Sequence, residues 1–445
     1  MKAKALLLFI SFACAPTACM FGQVDCSTST KLVCEFPVSA GALGTFAVGG
    51  PFTKAALAQA NPINASIAAQ LTQLPIPSAT VGVVSLREKG SDVGVPFENL
   101  GPILTDRPDT VGKGHLFFGF SYQHFNFNAV DGVGLGALPI GFTYSQTSPF
   151  NPADTQTYFG SVSNKITFRL DQYVGIMTYG LTKTTDLSVI VPSSSVKLDV
   201  ASYNFQAFYY DSAAKSYTNQ SPAATTVVAS NGTASGIGDV TIGMKQMLIG
   251  GDGNRAAMSA GASVRIPSGD SLNYLGSGAV GVNMYGLIEY RARLAPHVKI
   301  GYQWNGNSQL VNIQLAPTTR LPGGLQYAAG ADAKIIHSLT LAVDLLGNQF
   351  DNTPSFALST SPVCPSPVAG VCTAPPASTG LPGVFTTSTS FTNTYSTANV
   401  SAGLKWAPFP HFLLYGNVMK QINNVGLRSD LVPLFGIAYN FKATH

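Results

Sequence analysis

The sequence predicts an all-β fold: an antiparallel transmembrane β-barrel of about twelve strands, preceded by an N-terminal, partly helical segment. Three observations predict it. Only 10% of the 445 residues are charged while 45% are apolar, and mean hydropathy is +0.21. A soluble domain averages about 25% charged residues, so this surface is too poor in charge to face water all round. The mature chain nonetheless holds no run of the roughly 20 apolar residues that a spanning helix needs. From about residue 113 onward, apolar and polar residues alternate with period 2, in segments joined by connections that are short and long in turn. Such alternation marks strands with one apolar face.

Residues 1–23 read as a secretory signal peptide. Lys2 and Lys4 form the positive n-region, and Ala5 to Ala13 the apolar h-region. Two cleavage positions are open, after Ala13-Cys14-Ala15 or near Gly22-Gln23. Cys14 and Cys19 lack a lipidation motif, because Ser11 and Pro16 stand where an aliphatic residue is expected. Export places the mature cysteines in an oxidising compartment. These are Cys26, Cys34, Cys364 and Cys372, two Cys-x7-Cys pairs that allow three connectivities. Local pairing closes the shortest loops at the least entropic cost. A zinc site would show tighter spacing with histidine nearby, so no metal site is expected.

Residues 24–104 form a separate segment rich in Ala, Pro and small polar residues. One helix is expected over Pro62–Leu74, with Asn61 as N-cap, Pro62 at the first helical position and Pro75 as the stop. Ile63, Ile67 and Leu71 share one stripe of it. Two placements are open for this segment: a plug in the barrel lumen, or a periplasmic extension.

Residues 105–445 carry the barrel. The twelve alternating segments are about 113–127, 163–181, 185–209, 236–249, 256–267, 279–293, 296–306, 324–335, 338–350, 395–407, 411–422 and 430–442. The third could be broken around Pro192. Even-numbered strands are followed by short turns: Thr182–Thr184, Gly250–Arg255, Leu294-Ala295, Ile336-His337 and Pro408–Pro410. Odd-numbered strands lead into mostly longer loops, the longest spanning 128–162 and 351–394. That asymmetry is the layout of an outer-membrane barrel, short turns periplasmic.

In hydrocarbon every backbone polar group needs an internal partner, and a closed sheet supplies it. An Arg or Lys on the lipid face costs about 2–4 kcal/mol at the midplane. The charged residues of the alternating segments are therefore expected inward: Arg169, Asp171, Lys245, Arg265, Glu289, Arg291, Lys299, Asp332, Lys334, Asp344 and Lys405. This set predicts a polar, mildly cationic lumen. Tyr302, Trp304, Trp406, Phe409, Phe412, Tyr439 and Phe441 suit interfacial girdles against outer-membrane lipid. The final strand ends in alternating aromatics, the kind of signal that barrel-assembly machinery reads, although Lys442 to His445 follow the last Phe.

Two further stretches carry a resemblance. One is Gly101-Pro102-Ile103-Leu104-Thr105-Asp106-Arg107-Pro108-Asp109-Thr110-Val111-Gly112-Lys113-Gly114, before the first strand. The other, between strands 5 and 6, is Ile266-Pro267-Ser268-Gly269-Asp270, then Leu275-Gly276-Ser277-Gly278. Together they resemble the outer-membrane family named for the MetA pathway of phenol degradation, over roughly residues 101–441. The resemblance implies a barrel that carries small, often hydrophobic molecules. From the residues alone, Asp106 and Arg107 are candidates to tether the N-terminal segment, Arg107 through a lumenal carboxylate. Pro108 holds its predecessor extended, and Pro267 to Asp270 is turn chemistry.

Little points to catalysis. The six histidines, His115, His124, His297, His337, His411 and His445, show no metal-ligand spacing, and no Gly-x-Ser-x-Gly elbow is present. The glycine clusters lack a following helix to cradle phosphate. The formal charge of +4 includes no basic cluster suited to nucleic acid. No enzyme activity, cofactor or nucleic-acid partner is therefore expected. The expected function is an outer-membrane channel or transporter for a small-molecule solute. The alternative is a structural or surface-binding barrel without transport.

Overall fold

The structure, a computed structural model, describes residues 26, 29–36, 39, 66–67, 70–71, 74–78, 100–147, 155–211, 216–219, 221, 226–250, 254–311, 319–336, 338–362, 384–409 and 411–442. The leader and the pair Cys364/Cys372 lie outside the described residues. The barrel strands are β1 (His115–Val130), β2 (Thr155–Gly180), β3 (Thr185–Asp211), β4 (Val228–Ile237 continued by Val240–Ile249), β5 (Ala256–Ile266) and β6 (Gly281–Tyr290). The second half has β7 (Leu294–Asn305), β8 (Gly324–Ile336), β9 (Leu339–Pro362), β10 (Val384–Phe409), β11 (Phe412–Gln421) and β12 (Val432–Lys442). Each strand pairs antiparallel with the next. β12 pairs back onto β1 from His115↔Lys442 to Gln123↔Leu434. The ring of twelve is thus closed and leaves no edge strand in the wall.

β3 runs unbroken through Pro192. The Pro192 carbonyl accepts a hydrogen bond from the Gly238 amide (2.8 Å), at the break between the two halves of β4. The missing proline donor therefore falls where the ladder is already interrupted, which is where a strand tolerates proline. The described parts of the long connections 128–162 and 351–394 are largely strand rather than loop. β9 and β10 stay paired as far as Pro362↔Val384, and Leu138–Thr147 adds a strand to the far end of β2. The Ser/Thr-rich run Thr386 to Ser390 has strand propensity but no apolar face, so it carries no lipid signature. At the opposite end, the turn expected at Leu294-Ala295 falls at 291–293, because β7 already begins at Leu294.

The two faces separate cleanly over the membrane-spanning height. On β6, Ile288 and Tyr290 are 57% and 46% exposed, while Glu289 between them is 1% exposed. Val298 and Ile300 face outward on β7, as do Leu404 and Trp406 on β10, with Lys405 fully buried between the latter two. Lys245, Arg265, Glu289, Lys299, Asp332, Asp344 and Lys405 all lie on the inner face, and Lys334 shares the face of Asp332. Arg291 lies in a turn and also reaches inward, to Asp109. Aromatic side chains edge the outer band at both ends. Phe118 stacks on Phe441 near the short turns (5.8 Å), and Tyr302 meets Trp304 near the long loops (4.7 Å).

Arg169 and Asp171 correct the expected inward set. On β2 the even positions Phe168, Leu170, Gln172 and Val174 are buried inward, so Arg169, Asp171 and Tyr173 project outward. Asp171 accepts hydrogen bonds from the Tyr122 hydroxyl (2.6 Å) and pairs with His124 Nδ1 (2.8 Å) on the same outer surface. These positions lie on the long-loop side of Tyr173. The penalty for a lipid-facing charge falls to about 0–1 kcal/mol near the interface, so nothing forces such a charge inward there. The same depth dependence sets a test. Val298→Arg, mid-band, should lower unfolding free energy in lipid vesicles by about 2–4 kcal/mol, and Ser195→Arg, opposite Asp171, by no more than about 1. Equal losses in urea titrations would put the band at the wrong height.

The inner face of β1–β3 is apolar toward the long-loop end. Phe125, Phe127, Phe168, Leu170, Val196 and Leu198 are buried there, in one cluster with Leu32, Val33 and Ile67 of the N-terminal segment. The lumen is therefore divided, ionic near the short turns and apolar near the long loops, rather than polar throughout. Burying side chains of this size stabilises by about 1.5–3 kcal/mol each, which favours filling this half with protein rather than water.

Candidate functional site

The lumen is built between two pieces of chain that are not wall. Residues 100–114, the lead-in to β1, lie at the short-turn end. The Gly114 amide donates to the Gly180 carbonyl (2.9 Å) and Thr110 Oγ1 to the Lys183 carbonyl (2.8 Å). Arg107 donates from Nη2 and Nε to the two oxygens of Glu289 (2.8 and 3.3 Å), a bidentate pair with both side chains buried. Asp109 lies 3.6 Å from the Arg107 Nε and also pairs with Arg291. Lys245 Nζ donates to the Arg107 carbonyl (2.7 Å) and lies 3.5 Å from Asp106, which accepts from Ser78 Oγ (2.6 Å). Lys405 Nζ donates to the carbonyls of Leu100 (3.1 Å) and Pro102. Asp106 and Arg107 thus join the lead-in to the wall at β4 and β6. Gly403 on β10 leaves room for Ile103, whose Cδ1 would lie 2.6 Å from a Cβ there.

A second ionic group lies in the wall beside this lead-in. His297 Nε2 is 2.6 Å from Asp344 and its Nδ1 3.4 Å from Asp332, all three buried. Thr105 Oγ1 donates to the same Asp344 (3.2 Å). Sequence reasoning missed this triad. Its three members come from β7, β8 and β9, and only the strand register sets them side by side, as in His297↔Gly330↔Asp344.

The other piece is the connection between β5 and β6, which folds into the barrel mouth. Asp239, in the break of β4, accepts from the amides of Gly269 (3.1 Å) and Ser277 (2.7 Å) and from Ser277 Oγ. Arg265 Nε lies 3.6 Å from Asp239, and Arg265 Nη2 donates to Asn305 Oδ1 (2.8 Å). Gly269 and Gly276 cross so closely that a Cβ on either would lie 2.8 Å from the other's Cα. Here the glycines are required by space. Tyr274, in the left-handed region at φ 57°, packs against Phe168 with ring centroids 5.7 Å apart. The motif read as plain turn chemistry therefore caps the lumen. Asp239 was not singled out from the sequence, although the Gly238-Asp239 step between two alternating runs is the sort of signal that marks a bulge.

The described N-terminal residues connect the two ends. Cys26 and Cys34 form a disulfide. Next to it, Lys31 Nζ donates to Asp270 (2.8 Å), the Leu32 amide to Asn273 Oδ1 (3.1 Å), and Ser39 Oγ shares a hydrogen bond with Ser202. Asp270 loses some solvation, but the hydrogen bond and charge of Lys31 hold its carboxyl below the ordinary range. Ser66, Ile67, Gln70 and Leu71 are helical, whereas Leu74 already lies beyond the helix. Pro75 then accepts from Gln123 Nε2 of β1 (3.0 Å). Lys31 and Ser39 thus lie beside the β5–β6 connection and β3, whereas Pro75 meets β1 and Ser78 meets Asp106.

Between lead-in and hairpin lies a cavity of about 310 Å³. Leu74, Ile76 and Leu104 face it from the N-terminal side, Tyr274 and Leu275 from the hairpin, and Asn283, Tyr285, Lys299, Gln303 and Gln326 from the wall. The two motifs that carry the family resemblance therefore meet at one space. Among the described residues, no group of three or more His, Cys, Asp or Glu is placed to hold a metal ion.

No curated protein matches this sequence. Solved structures with a related layout include an outer-membrane channel from Pseudomonas putida F1, 10% identical, TM-score 0.41, covering 75% of this chain and 97% of that one. The NanC porin is 10% identical at TM-score 0.32, covering 68% and 99%. A TodX monoaromatic hydrocarbon channel mutant is 12% identical at TM-score 0.34, covering 76% and 93%. Residues 150–334, from before β2 into β8 and including the β5–β6 hairpin, match the family model described as "Putative MetA-pathway of phenol degradation".

Proposed function

We propose that this chain is an outer-membrane channel for small, amphipathic or hydrophobic molecules, its lumen narrowed by residues of its own N-terminal segment. The observation that carries the reading is the closed twelve-strand wall, apolar outside, around a cavity that the lead-in and the β5–β6 hairpin bound from opposite ends. A wall of this size falls between eight-strand barrels, filled by side chains, and 16–18-strand barrels, open to water. A constricted pore is the expected result. In this reading the short-turn end is periplasmic, lipid surrounds the outer band, and the aromatic β12 is the strand presented to assembly machinery. The channels and porins of similar layout, and the family named for phenol degradation, agree with it.

Liposome swelling tests it. The purified protein should admit small neutral solutes slowly, and deletion of residues 24–100 should raise the rate severalfold by emptying the upper lumen. Absence of solute flux from both proteins, each shown to be folded, would leave a surface-binding barrel as the better reading.

A further inference from the structure

Among the described residues, most cations that reach the cavity and lead-in lie against a carboxylate or a carbonyl. Arg107, Arg265 and Arg291 each lie against a carboxylate, Lys245 against Asp106 and a carbonyl, and Lys405 against two carbonyls. Lys299 differs. Among the described residues its ammonium has no hydrogen-bond or ion-pair partner, and its contact is the face of Tyr285, 4.5 Å from the ring centroid. Asp106 lines the same cavity, but it forms no ion pair with Lys299, and its Oδ1 takes Ser78 Oγ, the Arg107 amide and Lys245. A cation in a partly enclosed lumen without an ion-pair partner is stabilised by an anion that reaches it.

The surroundings say what kind of molecule would supply it. Asn283, Gln303 and Gln326 bring amide groups to the wall beside Tyr285 and Lys299. The lining also carries apolar surface, from Leu74, Ile76, Leu170, Ile190, Tyr274 and Leu310. A cavity of roughly 150 Å³ accommodates benzene, so 310 Å³ has room for one ring with an acidic substituent.

We propose that this cavity is a binding subsite for small amphipathic organic anions, an apolar body bearing one carboxylate, with Lys299 receiving the carboxylate and Tyr285 holding the ammonium in place. The proposal rests on the channel reading above and names the solute class. A neutral hydrocarbon would meet the apolar surface and leave Lys299 without an anion.

Equilibrium dialysis of the full-length protein in detergent, with radiolabelled benzoate and its uncharged counterpart benzamide, tests the site. Wild type should prefer benzoate by about 10- to 100-fold, the range of a charge-assisted hydrogen bond. Lys299→Gln should abolish that preference while keeping benzamide binding, and Lys299→Arg should keep most of it. Equal binding of the two probes by wild type, or an unchanged preference in Lys299→Gln, overturns the proposal. The wild-type comparison needs no variant, so a misfolded Lys299→Gln does not rescue it. Liposome flux on the same preparation separates the two claims. Flux of neutral solutes without benzoate preference removes the site and leaves the channel, whereas benzoate preference without flux of any solute does the reverse.

Discussion

Arg107→Ala should lower unfolding free energy by about 3–5 kcal/mol, the usual loss when one partner of a buried ion pair is removed. Glu289 and Asp109 would remain, both buried, with the bidentate guanidinium gone. Lys245 binds the Arg107 backbone and could keep Asp106 in place, but not Glu289. The lead-in would then detach from β6 and pore conductance should rise together with the fall in stability. Arg107→Lys should recover only part of the stability, because an ammonium lacks the planar fork that meets both Glu289 oxygens. Glu289→Gln introduced with Arg107→Ala should recover some as well, by removing the stranded charge. Urea unfolding in vesicles and single-channel recording measure the two effects. Stability lost with conductance unchanged would show that the lead-in does not limit the pore.

His297→Ala is expected to be comparably severe. The imidazole lies between Asp344 and Asp332, and both carboxylates are fully buried. Removing it leaves two like charges facing each other without the imidazole between them, and the loss of one partner from such a buried group costs about 3–5 kcal/mol. Thr105 would still reach Asp344, with a single neutral hydrogen bond. His297→Ala combined with Asp332→Asn should therefore be more stable than His297→Ala alone. If the double substitution is the worse of the two in urea unfolding, the histidine acts by packing rather than by charge.

The wall was legible strand by strand, because each strand carries its own evidence. Alternation of Val298, Ile300 and Tyr302 with Lys299, Gly301 and Gln303 names two faces without reference to any other part of the chain. Which face meets lipid follows from the cost of charge in hydrocarbon, and Lys245, Glu289, Asp332, Asp344 and Lys405 are buried on the face opposite the exposed apolar residues. That expectation failed at Arg169 and Asp171, since the rule weakens with height and sequence does not state height. The long connections failed for a related reason. Their Ser/Thr-rich strands continue past the apolar outer band and carry no apolar face.

What lies inside the wall was only partly legible. Arg107 could be named as a tether with a lumenal carboxylate as its partner, but not Glu289 in particular. Asp239, His297 and the contact of Lys299 with Tyr285 gave little sign in the sequence. By itself the sequence determined a twelve-strand, two-faced barrel with short turns at one end, because period, turn chemistry and the lipid penalty are local. Only the tertiary structure decided which groups meet in the lumen. Arg107 and Glu289 are 182 residues apart, and Lys405 and Leu100 are 305 apart. Such contacts depend on ring closure and strand register, which join distant positions that no local pattern relates.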